Sequence, residues 1–148
     1  MGTMKKTDPP IEVEAQFNKS ATVLWKALTN YSEMKKWYFD VMDDFQPTVG
    51  FKTAFKVPSE DRVFTHQWEV IEVVPHKKIT YSWRFQEYPG ASTSCFEVFG
   101  DQNSSKLRLT ILVQEDFPSE IPEFKRESCI GGWDYFIHGN LKKYMAAL

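Results

Sequence analysis

The chain has 148 residues, with 18 Lys and Arg against 20 Asp and Glu, a formal net charge of −2. That length suits one domain whose core buries roughly 70% of the unfolded chain's surface. No run of basic residues is longer than pairs such as Lys5-Lys6, Lys35-Lys36, Lys77-Lys78 and Lys142-Lys143. This excludes the basic stripe that a nucleic acid or an anionic membrane requires.

No secretory pattern and no apolar run of about eighteen residues is present, so no membrane insertion and a cytoplasmic location are expected. Cys95 and Cys129 are too few for a disulfide framework and are expected as free thiols.

Residues 1–10 are polar and close on Pro9-Pro10, which predicts a flexible N-terminal arm ahead of a single domain at 11–148. Ile11, Val13, Ala15 and Phe17 alternate with polar residues, the pattern of a half-buried strand. Ser20 is a good N-cap for a helix with Val23, Leu24, Ala27 and Leu28 on its apolar stripe. Thr29-Asn30 breaks it, and a second short helix carries Tyr31, Met34, Trp37 and Tyr38. Strands follow. Phe51 to Val57 alternates, Pro58 to Arg62 is a polar turn, and Val63 to Val74 is a long strand whose alternation slips near Val73-Val74, as at a bulge. Ile79, Tyr81, Trp83 and Phe85 keep a period of two. Tyr88-Pro89-Gly90 reads as a turn, Thr93 to Phe99 as a strand, and Leu107 to Val113 as the last one.

The final stretch, Glu123 to Leu148, is the one segment long and periodic enough for a major helix. Phe124, Ile130, Trp133, Ile137, Leu141, Tyr144, Met145 and Leu148 recur at three-and-four spacing. At 1.5 Å per residue it would run roughly 35–40 Å and cover the apolar face of the sheet. The fold class expected is α+β: a curved antiparallel sheet of about six or seven strands, two short helices after the first, and a long C-terminal helix across it.

This order resembles the helix-grip fold of the START-like (SRPBCC) superfamily. Trp25-Lys26-Ala27-Leu28-Thr29, followed by Met34 and Trp37-Tyr38, is similar to a signature of the family related to the activator of heat shock protein 90 ATPase. Val70 to Pro75 with Ile79-Thr80-Tyr81-Ser82-Trp83 resembles its central segment. Gly132-Trp133 with Ile137, Leu141 and Tyr144 resembles its closing helix. The likeness spans about Ile11 to Tyr144. Two positions depart from the pattern: Ser20-Ala21 where the family usually starts its first helix with Pro, and Trp68 where many members have Gly. An indole facing inward at Trp68 would shrink any cavity.

The resemblance implies an apolar cavity between the concave face of the sheet and the long helix. Strand parity nominates Phe55, His66, Trp68, Tyr81, Trp83 and Phe96 as facing it. The helices add Trp37 and the group Gly132, Trp133, Phe136 and Ile137. The same large side chains, with Phe64, would equally serve as plain core. Gly131, Gly132 and Gly139 each cost about 1 kcal/mol relative to Ala in a helix, and the Gly132–Gly139 face admits either close packing on the sheet or clearance for a ligand.

Asp134 and His138 stand at i and i+4 but lack a third ligand, so no metal is expected. His66 is the best polar handle for a cavity. No catalytic motif occurs, a Cys95–His66 thiolate pair is left to geometry, and no cofactor is implied. The expected partner is a small apolar or amphipathic molecule, with no nucleic acid. Two alternatives stand beside it: a cyclase-like enzyme using His66, Glu97 or Tyr81 in the same cavity, and a chaperone-binding domain.

Overall fold

The computed structural model describes residues 2–148. β1 (Ile11–Phe17) alternates buried and exposed along its whole length. The Ser20 hydroxyl accepts from the Val23 amide at 3.1 Å and starts α1 (Ala21–Thr29), as its residue type predicts. Asn30 ends α1, and its side chain caps α2 (Tyr31–Trp37). Five further strands follow: β2 (Lys52–Ser59), β3 (Arg62–Val74), β4 (Lys78–Phe85), β5 (Tyr88–Gly100) and β6 (Ser105–Glu115). They form one antiparallel sheet in the order β1-β6-β5-β4-β3-β2. The helices cover one face, giving the expected α+β architecture of the helix-grip type.

Two strand details differ from the sequence reading. The β4–β5 turn falls at residues 86 and 87, because Phe85 already pairs with Tyr88. Gly90 therefore sits inside a strand, at φ +115°, where the Phe117 ring occupies the space a Cβ would need. The irregularity in β3 lies between Val70 and Glu72, just before the expected slip.

The C-terminal helix starts at Arg126 rather than Glu123, after a 3₁₀ turn at Pro122–Phe124. It has three parts: α3 (Arg126–Trp133), a π-helical stretch (Asp134–Leu141) and α4 (Lys142–Ala146). Trp133, Ile137, Leu141 and Met145, four apart throughout, are all buried. Residues four apart overshoot an α-turn and fall short of a π-turn, so alternating the two keeps this stripe on one face. Ile130 and Leu148, assigned to the stripe from their spacing, are exposed.

Of residues 1–10, expected to form a flexible arm, Met1 lies outside the described residues and the others are anchored in part. Met4 is buried; its amide donates to Phe124 O at 3.0 Å, and its carbonyl accepts from Phe117 N at 3.1 Å. Arg126 also reaches Pro9 O at 2.7 Å. A composition-based reading misses this because the contacts are with residues more than a hundred positions away.

β1 is an edge strand, and the C-terminal helix covers its free carbonyls. His138 Nε2 donates to Glu14 O at 2.8 Å, and Lys142 donates to Gln16 O. Unpaired edge carbonyls are thereby taken out of play. The other ring nitrogen of His138 lies 2.6 Å from Asp134 Oδ1. Both nitrogens thus face acceptors, which favours the imidazolium and raises the His138 pKa above 6.5, chiefly through the Glu14 carbonyl and then Asp134. The stabilisation is complete below the ordinary value and lost as pH rises through the folded one. We expect His138→Gln to cost no more than about 1 kcal/mol at pH ~5.5, given the exposure of the pair, and less at pH ~8.5. Chemical denaturation at the two pH values measures this; an equal cost at both would refute the assignment.

Candidate functional site

A cavity of about 250 Å³ lies between the concave face of the sheet and the C-terminal helix. Inward-facing residues of the central strands make its floor: Phe64 and His66 from β3, Trp83 from β4, Ser92 and Ser94 from β5, and Ile111 from β6. These alternate with outward residues because strand side chains point to opposite faces in turn. The roof comes from the helix, through Cys129, Gly132, Trp133 and Phe136. Met4, Phe117 and Phe124, from the anchored N-terminal segment and the link after β6, close one end. Lining residues that keep solvent exposure, among them Val57 and Ser59 on β2, Glu123, and Cys129 and Gly132 on the helix, mark the mouth.

Of the residues nominated from sequence, His66, Trp83, Gly132, Trp133 and Phe136 line this cavity. Phe55, Trp68, Tyr81, Phe96, Trp37 and Ile137 do not. Trp37 donates from its indole to Ala27 O at 2.8 Å and stacks on Tyr38 at 4.6 Å, so it joins α1 to α2. Tyr81 shares a hydrogen bond with Tyr38 at 3.0 Å and has Phe96 stacked on it at 5.5 Å. Burial raises both phenols' pKa, keeping them protonated. Phe55 lies flat against the far side of His66, and Ile137 is buried beneath the helix.

Trp68 explains the division. Its ring packs on Tyr81 at 4.6 Å, Phe55 and Trp83 at 4.9 Å, and Tyr38 at 5.4 Å. The expected narrowing therefore occurs: this cluster fills one half of the space under the helix, and the cavity is the other half. Parity found the correct face but could not tell which half is filled. Phe39, which touches His66, Trp68 and Phe136 at 4.9–5.8 Å, lines the cavity from the segment after α2, where no periodicity announced it.

His66 is held in one state by its neighbours. The Trp83 indole N–H donates to His66 Nδ1 at 3.0 Å. An indole can only donate, so Nδ1 carries a lone pair and the neutral ring has its hydrogen on Nε2. Burial pulls the His66 pKa down to about 4, against a smaller opposing pull from Glu87. At neutral pH the ring is an uncharged donor.

Ser94 is 1% exposed, and its covered hydroxyl has no hydrogen-bond partner among the described residues. At the mouth, Glu123 takes two hydrogen bonds from Arg62 at 2.9 Å each and one from Ser59 at 2.7 Å. Its pKa is lowered chiefly by the Arg62 hydrogen bonds. This clasp ties the β2–β3 hairpin to the start of the helix region.

The catalytic arrangements weighed from sequence do not assemble. Cys95 and Glu97 lie between the inward residues Ser94, Phe96 and Val98, on the opposite face of the sheet from His66. Cys129 borders the cavity, but burial pushes its thiol up to about 11, far from a reactive thiolate. Among the described residues, no three His, Cys, Asp or Glu side chains gather as metal ligands. His138 spends both ring nitrogens on Asp134 and Glu14.

The fold and its chamber define a class, the helix-grip proteins in which a curved sheet and a C-terminal helix enclose an apolar space. The chain belongs to the family described as Activator of Hsp90 ATPase homolog 1-like protein, whose model matches residues 18–146. Among solved structures it is similar to the Mll3558 protein from Rhizobium loti, with a TM-score of 0.78 and 14% identity over 92% of this chain and 96% of that one. The MLL2253 protein from Mesorhizobium loti gives a TM-score of 0.70 and 23% identity, over 94% and 98% of the two chains. DynU16, from the dynemicin biosynthetic locus, gives 0.69 and 20%, over 94% of this chain and 48% of that one. At these identities the likeness concerns the fold. Comparison with curated proteins finds no match. Among the described residues, no helix is long and apolar enough to cross a membrane.

Removing Trp68 should join the filled and open halves. We expect Trp68→Ala to cost about 3–5 kcal/mol, read by chemical denaturation, and to increase binding of an apolar fluorescent dye to the folded protein. A cost below about 1 kcal/mol would mean that the indole does not hold the cluster together.

Proposed function

We propose that this protein binds a small apolar or amphipathic molecule in the chamber beneath its C-terminal helix. One observation carries the reading: an apolar cavity of about 250 Å³ is lined by His66, whose Nε2 has no hydrogen-bond partner among the described residues. Interiors normally pack to crystal-like density and satisfy their polar groups. A space that does neither suits an occupant. Gly132 supports the same reading, because a Cβ there would meet nothing within 4 Å. Gly132 borders the cavity and is itself exposed, so a side chain there has room without pressing on the sheet.

An enzymatic role has weaker support, since His66 stands without a second polar group engaged with it from across the cavity. The family's name connects it with a chaperone, and that reading becomes the favoured one if the cavity takes no ligand.

The test is a thermal-shift and tryptophan-fluorescence screen against fatty acids, flavonoids, polyketides and sterols. Trp83 and Trp133 line the cavity, so a bound molecule should quench them. A ligand at a hundred times its Kd should stabilise the fold by about 2.7 kcal/mol. Gly132→Phe, which puts a ring into the free space, should abolish both signals while leaving the unliganded protein folded. Silence across the panel would overturn the reading.

A further inference from the structure

The polar groups around the cavity are few, and their chemistry is selective. Among the described residues, no Lys or Arg lines it. The one carboxylate, Glu123, is at the mouth and already engaged by Arg62 and Ser59. A bound anion would therefore find no counter-charge inside, and the Arg62 guanidinium at the entrance is already spent on Glu123. Burying an unpaired carboxylate is far more costly than burying a neutral polar group.

What the interior offers is hydrogen bonding without charge. The Trp83 indole fixes the hydrogen of neutral His66 on Nε2, and among the described residues no group accepts from that nitrogen. Ser92 and Ser94 lie on the same inward face of β5 and line the floor, although the Ser94 hydroxyl itself is covered. The walls about His66 are flat: Phe39 at 5.1 Å, Phe85 at 4.8 Å and Trp83 at 5.4 Å. Size sets a further limit. An apolar cavity of roughly 150 Å³ holds benzene, and drug-sized ligands occupy about 300–1,000 Å³. The volume here lies between, which suits one or two fused rings held within the cavity.

We propose that the occupant is a compact, neutral, ring-containing molecule bearing a carbonyl oxygen, which accepts a hydrogen bond from His66 Nε2, and that carboxylates of the same size are rejected. This rests on the cavity reading above and assigns His66 as the residue that selects the ligand's polar group.

A matched series tests it: 2-acetylnaphthalene, 2-ethylnaphthalene and 2-naphthoate, titrated calorimetrically into the protein at pH ~7. The ketone should bind about five- to tenfold tighter than the hydrocarbon, the worth of one neutral hydrogen bond. The carboxylate should bind at least about a hundredfold more weakly than the ketone. His66→Phe keeps an aromatic ring in place and should bring ketone and hydrocarbon to equal affinity. Circular dichroism checks its fold, and the wild-type series stands by itself if the variant does not fold. Equal binding of ketone and hydrocarbon to the wild type, or carboxylate binding as tight as the ketone's, would overturn the selection while leaving the cavity reading intact. If no member binds, the cavity reading falls and the proposal with it.

Discussion

A single helix is narrower than the concave face of a six-stranded sheet, and the structure depends on what fills the difference. Trp68, Tyr38, Tyr81 and Phe55 fill one half with rings in mutual contact. Close-packed aromatics bury much surface per residue and add directional ring contacts. That half fixes the distance between helix and sheet. The other half keeps the same separation with smaller or set-back groups, namely Ser92, Ser94, Ile111 and Gly132, and so stays open. The cavity is a consequence of the wedge beside it. Trp83 and Trp133 stand on the boundary, 5.7 Å apart, and Trp83 also touches Trp68.

The helix contributes to this geometry through its irregular centre. A uniform α-helix would rotate residues spaced by four steadily around its surface. The π-helical turns at Asp134–Leu141 correct the rotation, so that Ile137, Leu141 and Met145 stay against the sheet behind Trp133. The same segment places His138 and Lys142 over the free carbonyls of β1. Covering an edge strand and roofing a cavity are thus both tied to one departure from α-helical winding. A three-and-four spacing count cannot reveal that departure, which is why Ile130 and Leu148 were assigned inward although both are exposed.

Much of the fold was legible because strands and caps are local. The alternation in β1 and the Ser20 cap are properties of a few adjacent residues, and the structure reproduces them. The candidate site was legible only as far as face parity reaches. Parity put His66, Trp68, Tyr81 and Trp83 on the concave side, but the division between wedge and cavity depends on how far along each strand the helix and the segment after α2 lie. Phe39 and Met4 enter the cavity from stretches without periodicity, through contacts set by tertiary packing. The turn at residues 86 and 87 was misplaced because Pro89-Gly90 is ordinary turn chemistry. Here the close approach of Phe117 explains the glycine instead.

The link between core and cavity runs through a single hydrogen bond. Trp83 belongs to the wall between the two halves, and its indole N–H is spent on His66 Nδ1. Were that donor absent, the buried imidazole could place its hydrogen on either nitrogen, and a ligand would meet a donor or an acceptor. With it, the packing that positions Trp83 also settles the polarity His66 presents. Trp68 shows the contrasting case: its indole nitrogen is buried without a partner, a cost of about 1–3 kcal/mol that ring packing has to offset. Two tryptophans face each other across β3 and β4, one paired to a histidine and one unpaired. The difference tracks position, for the paired one borders the open half and the unpaired one lies in the wedge, where the ring's bulk fills space and its N–H meets no acceptor.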